Sequence, residues 1–159
     1  MDFNPTMASV DIYTDGSALG NPGPGGYAAV LLSGDKRLEI SGGFALTTNN
    51  RMELRAVIEA LRVLKGQGHF IRLYSDSKYV IDAFAQNWLA TWQKRDWKNV
   101  KNPDLWQALL PLTNLHRIEW CWVKGHADVP ENERCDVLAK AAASAFSLPP
   151  DSGYFSPNT

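Results

Sequence analysis

The hydrophobic pattern of this chain changes period near residue 47, and that change limits what it can fold into. Before it, Ser9 to Thr14 sets Val10 and Ile12 among polar neighbours, Tyr27 to Leu32 is continuously apolar, and Leu38 to Phe44 forms a third such run. Short alternating or continuous apolar runs predict strands, here three in succession as an antiparallel meander. The first run is expected to stop at Asp15-Gly16-Ser17. Gly20-Asn21-Pro22-Gly23-Pro24-Gly25-Gly26 then predicts an irregular connection, since proline removes a donor and glycine favours tight turns.

After the change, Thr47-Thr48-Asn49-Asn50 offers capping side chains to a helix bearing Leu54, Val57, Ile58, Leu61 and Leu64 on one face. That helix ends near Gly66 and Gly68. Phe70 to Ser75 reads as a strand, Ser77 to Phe84 and Trp88 to Arg95 as helices, Asp96 to Asn102 as a basic loop, and Pro103 starts another helix. Arg117 to Val123 is the fifth strand, and Pro130 to Phe146 a last helix with Val137, Leu138, Ala141, Ala142 and Ala145 facing inward. The order β-β-β-α-β-α-α-β-α predicts an α/β fold, a mixed five-stranded sheet with helices on its faces.

At 159 residues, 45% of them hydrophobic, the chain suits one domain over residues 1–159. Residues 1–8 would be a short N-terminal extension and 148–159 a loose C-terminal tail. No apolar run approaches the roughly 20 residues that cross a bilayer, and residues 1–8 lack a signal-peptide pattern. Two cysteines, Cys121 and Cys135, cannot form a disulfide framework and fit a reducing compartment. A cytoplasmic protein without membrane association is expected.

The net charge of -1 excludes a basic nucleic-acid coat, but it conceals segregation. Residues 1–53 carry three basic and six acidic side chains, residues 54–109 nine and five, and residues 110–159 four and six. Four of the acids stand where strands end or helices begin: Asp15, Glu53, Asp76 and Asp136. Singly, each has a bland reading as a turn residue, a cap or a solvated helix position. Jointly, they match the rule that strand ends and adjoining helix starts of an open α/β sheet converge on one crevice. Converging acids repel and favour a bound cation, and oxygen donors select Mg²⁺ or Mn²⁺. A P-loop is excluded, because no glycine-rich turn leads into Lys-Ser or Lys-Thr. A zinc site on Cys121, His126 and Cys135 lacks paired short-spaced ligands.

Five blocks carry a resemblance: Thr14-Asp15-Gly16-Ser17, the Gly20–Gly26 run with Tyr27, Thr47 to Leu54, Ser75-Asp76-Ser77, and Trp122-Val123-Lys124-Gly125-His126-Ala127 with Glu131 to Asp136. In this order, from about Val10 to Tyr154, the chain resembles bacterial-type ribonuclease HI. The resemblance implies a ribonuclease H-like fold and an endonuclease that cuts the RNA strand of RNA/DNA hybrids, leaving 5'-phosphate and 3'-hydroxyl ends. It implies that Asp15, Glu53, Asp76 and Asp136 hold two Mg²⁺ ions during catalysis, with Asp15 between them and Mn²⁺ able to substitute. His126 would assist proton movement or product departure.

For substrate binding, the resemblance places Gly16, Ser17, Asn21, Asn49, Asn50 and Lys78 along the groove where 2'-hydroxyls distinguish RNA. Thr48 and Asn102 would seat a phosphate of the DNA strand. Trp88, Trp92, Lys94, Arg95, Trp97, Lys98 and Lys101 correspond to a basic protrusion whose cations neutralise phosphates. The tryptophans have an equally good reading as helix packing. The stretch from Trp97 to Trp106 is shorter than in the fullest family protrusions, and Asp96 dilutes its charge, so weaker hybrid affinity is implied. No obligatory protein partner is expected and a monomer suffices. The alternative reading is a hybrid-binding module without catalysis.

Overall fold

Alternation in the first apolar run seats it at the centre of a sheet, with Val10 and Ile12 fully buried on one side. In the computed structural model, which describes residues 1–6, 8–125 and 129–154, this run is β1 (Ser9–Ala18). It is followed by β2 (Gly23–Ser33), β3 (Lys36–Thr47), α1 (Asn49–Val63), β4 (Phe70–Ser75), α2 (Lys78–Ala85) and α3 (Trp88–Lys94). Then come α4 (Pro103–Thr113), β5 (Arg117–Trp122) and α5 (Pro130–Ala143). The sheet order is β3-β2-β1-β4-β5, antiparallel from β1 to β3 and parallel from β1 through β4 to β5. The expected mixed five-stranded sheet with its meander is therefore present.

The main core lies between the sheet and the helices preceding β5. Ile12, Leu31, Ile71 and Leu73 from the strands meet Leu54, Val57, Ile58 and Leu61 from α1, Val80 from α2 and Trp106 from α4. A smaller cluster, Ala28 and Val30 with Cys135 and Ala139, holds α5 against the other face. Each fully buried Leu or Ile contributes on the order of 2 kcal/mol relative to exposure, so the larger cluster dominates the driving force.

Three expectations are corrected. β1 runs on through Asp15, Gly16 and Ser17, because Ser17 and Ala18 pair with Gly26 and Gly25. The glycine-rich stretch is thus strand from Gly23 onward, and glycine is needed there: a Cβ on Gly26 would collide with the Ala139 carbonyl of α5. The inner face of α5 centres on Asn132, Cys135, Ala139 and Ala143. Of the expected inward residues Leu138 packs against this cluster and Ala142 lies beside Gly26, whereas Ala141 and Ala145 are exposed and Val137 is 56% exposed. Small side chains let this helix approach the glycine strand, and proximity overrides hydropathy in choosing its face. Finally, the tail is anchored rather than loose through residue 151. The Ala45 N–H donates to the Pro149 carbonyl at 2.8 Å, and Asp151 is buried.

At the other end, Phe3 is buried in the main core and its N–H donates to the Val63 carbonyl at 2.7 Å. No helix among the described residues is long and apolar enough to cross a membrane.

Candidate active site

Parallel pairing of β1 with β4 places Tyr13 opposite Tyr74, so the chain beyond β4 delivers Asp76 next to Asp15. Glu53 arrives from above, on the first turns of α1. Thr48 caps that helix by accepting from the Arg51 N–H at 3.2 Å. Its backbone comes so close to β1 that a Cβ on Gly16 would clash with Met52 and the Glu53 nitrogen. Asp15, Glu53 and Asp76 each bring one carboxylate oxygen to within 4.8 Å of the others.

Asp15 and Glu53 are buried, whereas Asp76 is half-buried and opens the cluster to solvent. Burial, followed by the Asp76 charge, pushes the Asp15 carboxyl up to about 7. Burial and then the charges of Asp15 and Asp76 hold Glu53 well above the ordinary carboxylate range. Glu53 Oε1 is buried without a hydrogen-bond partner. An orphaned carboxylate oxygen facing two more carboxylates costs free energy that a coordinated cation would offset. An all-oxygen donor set of this kind fits a hard divalent ion. The fourth acid, Asp136 on α5, lines the same cleft but pairs with Lys140 Nζ at 3.0 Å, one helical turn away.

The cleft, about 400 Å³, is also lined by Gly16, Ser17, Asn49, Asn50 and Lys78. Asn49 serves as a brace: its Oδ1 accepts from the Ala18 N–H at 2.7 Å, and its own N–H donates to Asn21 Oδ1 at 3.1 Å. Asn21 therefore holds the glycine-rich connection to the start of α1. Asn102 stands away from the acids, in a left-handed conformation with φ 57°, accepting from Arg51 Nη1 at 3.3 Å and donating to the Tyr79 hydroxyl at 3.0 Å. His126 lies outside the described residues.

The basic protrusion divides its labour. Trp92 packs edge-on against fully buried Trp106, with ring centroids 5.2 Å apart, and Trp97 packs against the core. Trp88 is more exposed and sits 6.1 Å from Trp92. Asp96 and Trp97 both adopt positive φ, 54° and 61°, a conformation rare for bulky side chains. Lys94, Arg95, Lys98 and Lys101 all face solvent, and Arg95 and Lys98 flank a shallow hollow floored by Trp92. Packing thus accounts for Trp92 and Trp97, whereas the four cations are turned to solvent.

Residue patterns did not reveal the roles of Tyr79 and Arg51. The Tyr79 hydroxyl accepts from Asn102 and from Trp106 Nε1, the latter at 3.1 Å, joining the acid cleft to the base of the protrusion. Arg51 binds Asp104 through Nη1 and Nη2 at 2.9 and 2.7 Å, and Asp151 as well. Its place inside the Thr47–Leu54 block was the available signal, but its partners lie far along the chain.

This sheet order and acid-lined cleft define an α/β protein with a candidate site for divalent cations. A family model described as RNase H matches residues 7–144, and the chain belongs to the RNase H family. It is 56% identical to Ribonuclease H of Nitratidesulfovibrio vulgaris, strain Miyazaki F, over 94% of this chain and 98% of that one. It is 57% identical to Ribonuclease H of Symbiobacterium thermophilum over 87% and 97% of the two chains. Among solved structures, LC9-RNase H1, a type 1 RNase H with the type 2 active-site motif, is 36% identical with a TM-score of 0.77. That likeness covers 85% of this chain and 72% of LC9-RNase H1.

Proposed function

We propose that this protein is an endoribonuclease that hydrolyses the RNA strand of RNA/DNA hybrids, leaving 5'-phosphate and 3'-hydroxyl ends. In this reading Asp15, Glu53, Asp76 and Asp136 hold two Mg²⁺ ions, which Mn²⁺ can replace. The observation that carries it is the buried Glu53 oxygen without a partner, within one carboxylate cluster at the floor of an open cleft. Bound Mg²⁺ supplies charge neutralisation at the scissile phosphate and makes an attacking water more acidic.

The remaining work falls to the chain itself. Gly16, Ser17, Asn49, Asn50 and Lys78 present backbone and side-chain polar groups along the cleft, with Asn21 bonded to Asn49 behind them, and together they bind 2'-hydroxyls of the RNA strand. Thr48 uses its oxygen to cap α1 and keeps its hydroxyl proton free to donate to a DNA-strand phosphate. Asn102 likewise has a second amide proton to donate beyond the one given to Tyr79. Lys94, Arg95, Lys98 and Lys101 draw in the duplex, with Trp88 beside them and Trp92 and Trp97 as their anchors. His126 assists proton movement or product departure. The protein acts as a cytoplasmic monomer and discriminates little among base sequences, because these contacts address sugar and phosphate.

Labelled RNA/DNA hybrid, single-stranded RNA, duplex RNA and duplex DNA, each with Mg²⁺ and with EDTA, test this reading. Cleavage confined to the RNA of the hybrid and abolished by EDTA is expected. Equal cutting of all four substrates overturns the substrate assignment, and hybrid bound but uncut with Mg²⁺ would leave the binding-module alternative.

A further inference from the structure

β5 ends at Trp122, whose side chain is left 46% exposed beside the acid cleft. Ser75 is paired with Trp122 in the register of β4 with β5, and the Val123 N–H donates to the Ser75 carbonyl at 2.9 Å. The end of the sheet thereby carries the indole to the peptide that joins Asp76 to Ser77. Trp122 Nε1–H donates to the Asp76 carbonyl oxygen at 3.2 Å. The N–H of the same peptide, on Ser77, donates to Ser75 Oγ at 3.0 Å. Because a peptide unit is planar, holding it at both ends fixes its rotation, and with it the direction in which the Asp76 side chain departs.

The indole face has a second contact. Lys78 Nζ lies 4.6 Å from the ring centroid, within cation–π range, while Lys78 also lines the cleft. A single side chain thus touches the backbone of one acid of the cluster and the cation at the cleft rim. An exposed indole that merely covered the sheet edge would have no need of either contact.

We infer that Trp122 is a positioning residue for the proposed hydrolysis: its N–H aims the Asp76 carboxylate for cation binding, and its face holds the Lys78 ammonium where the hybrid backbone enters. The inference rests on the hydrolytic reading given above. Outer contacts that orient a cation ligand commonly change affinity by about 10- to 100-fold when removed. A solvent-exposed cation–π contact is weaker, worth about two- to fivefold.

The two contacts separate by substitution. Trp122→Phe keeps an aromatic face and removes the N–H, whereas Trp122→Leu removes both. Trp122→Phe is expected to weaken Mn²⁺ binding by about tenfold in calorimetry, and to lower kcat with KM unchanged. Trp122→Leu is expected to show the same Mn²⁺ loss and to raise KM by about two- to fivefold. Lys78→Met should raise KM alone, and adding Trp122→Leu to it should raise KM no further, as expected if the indole acts on KM only through the Lys78 ammonium. Mn²⁺ binding by Trp122→Phe equal to that of the unsubstituted protein overturns the inference. So does a double-variant KM rise equal to the product of the single rises. If the unsubstituted protein cleaves nothing while Trp122→Phe still weakens Mn²⁺ binding, the hydrolytic reading falls and the positioning of Asp76 stands.

Discussion

Arg51 Nε and Nη2 donate to the two carboxylate oxygens of Asp151 at 2.7 and 3.0 Å, joining residues 100 positions apart in the chain. Both side chains are buried, and Thr47 Oγ1 donates to the same carboxylate at 2.7 Å. Arg51 stands two residues before Glu53, so the C-terminal segment pins the turn of α1 that carries an acid of the cluster. Asp151→Ala would leave a buried guanidinium short of a partner, at a cost of about 3 kcal/mol. Urea denaturation of Asp151→Ala, and of a chain ending at residue 147, should show this loss. An unchanged midpoint in both would mean that the segment is dispensable.

Asp15 has a folded-state value of about 7, raised first by burial and then by Asp76, against an ordinary 3.8. A carboxyl raised on folding binds more protons in the folded state between these two values, so its contribution to stability falls as pH rises through that window. In EDTA, thermal stability should therefore decline from about pH 4 to pH 7, and Asp15→Asn should flatten the decline. Parallel pH profiles for the two proteins would disprove the electrostatic origin.

Asp15→Asn should also cost at least about a thousandfold in turnover while the fold persists, because it removes charge from the reacting site and not from the core packing. Steady-state cleavage of labelled hybrid, together with circular dichroism, measures both. Full turnover would end the assignment of Asp15.

The solvent-facing cations of the protrusion should act through phosphate. Replacing Lys94, Arg95 and Lys98 with alanine should weaken hybrid binding and make its log-log salt dependence shallower by about 2 to 3. Binding titrations between low and moderate salt give the slope, and an unchanged slope would show that these residues do not meet the duplex.

Gly16→Ala tests the close approach that brings Glu53 over β1. A methyl group there must push against the Met52 backbone, so a loss of about 1 to 3 kcal/mol is expected, accompanied by weaker Mn²⁺ binding as Glu53 is displaced. Unaltered Mn²⁺ affinity in calorimetry would separate Glu53 from this contact.

Elements with a strong local pattern were legible in the chain. The run Phe70–Ser75 forms β4 over that range, and the Thr48 cap and the apolar stripe of α1 occur as their spacing requires. The face of α5 was legible only in part: Leu138 and Ala142 lie on the sheet side as expected, but Val137 is more apolar than Ala139 and yet Ala139 is the buried residue against Gly26. Hydropathy ranks side chains by transfer from water, whereas this interface selects them by size. The strand character of Gly23–Gly26 was hidden for a related reason: glycines carry no side chain whose alternation could signal a strand.

The same division holds at the candidate site. Residue types and motif order named the four acids and the Gly16, Asn49, Asn50 and Lys78 rim, because short-range chemistry is written in local blocks. Tertiary structure alone decided that all four acids line one cleft, three of them within 4.8 Å of one another while Asp136 also pairs with Lys140. It alone joined Arg51 to Asp151 and Trp122 to Asp76 and Lys78. Such partners are set by strand register and helix docking, and a sequence records neither the distance nor the direction across which two remote side chains will meet.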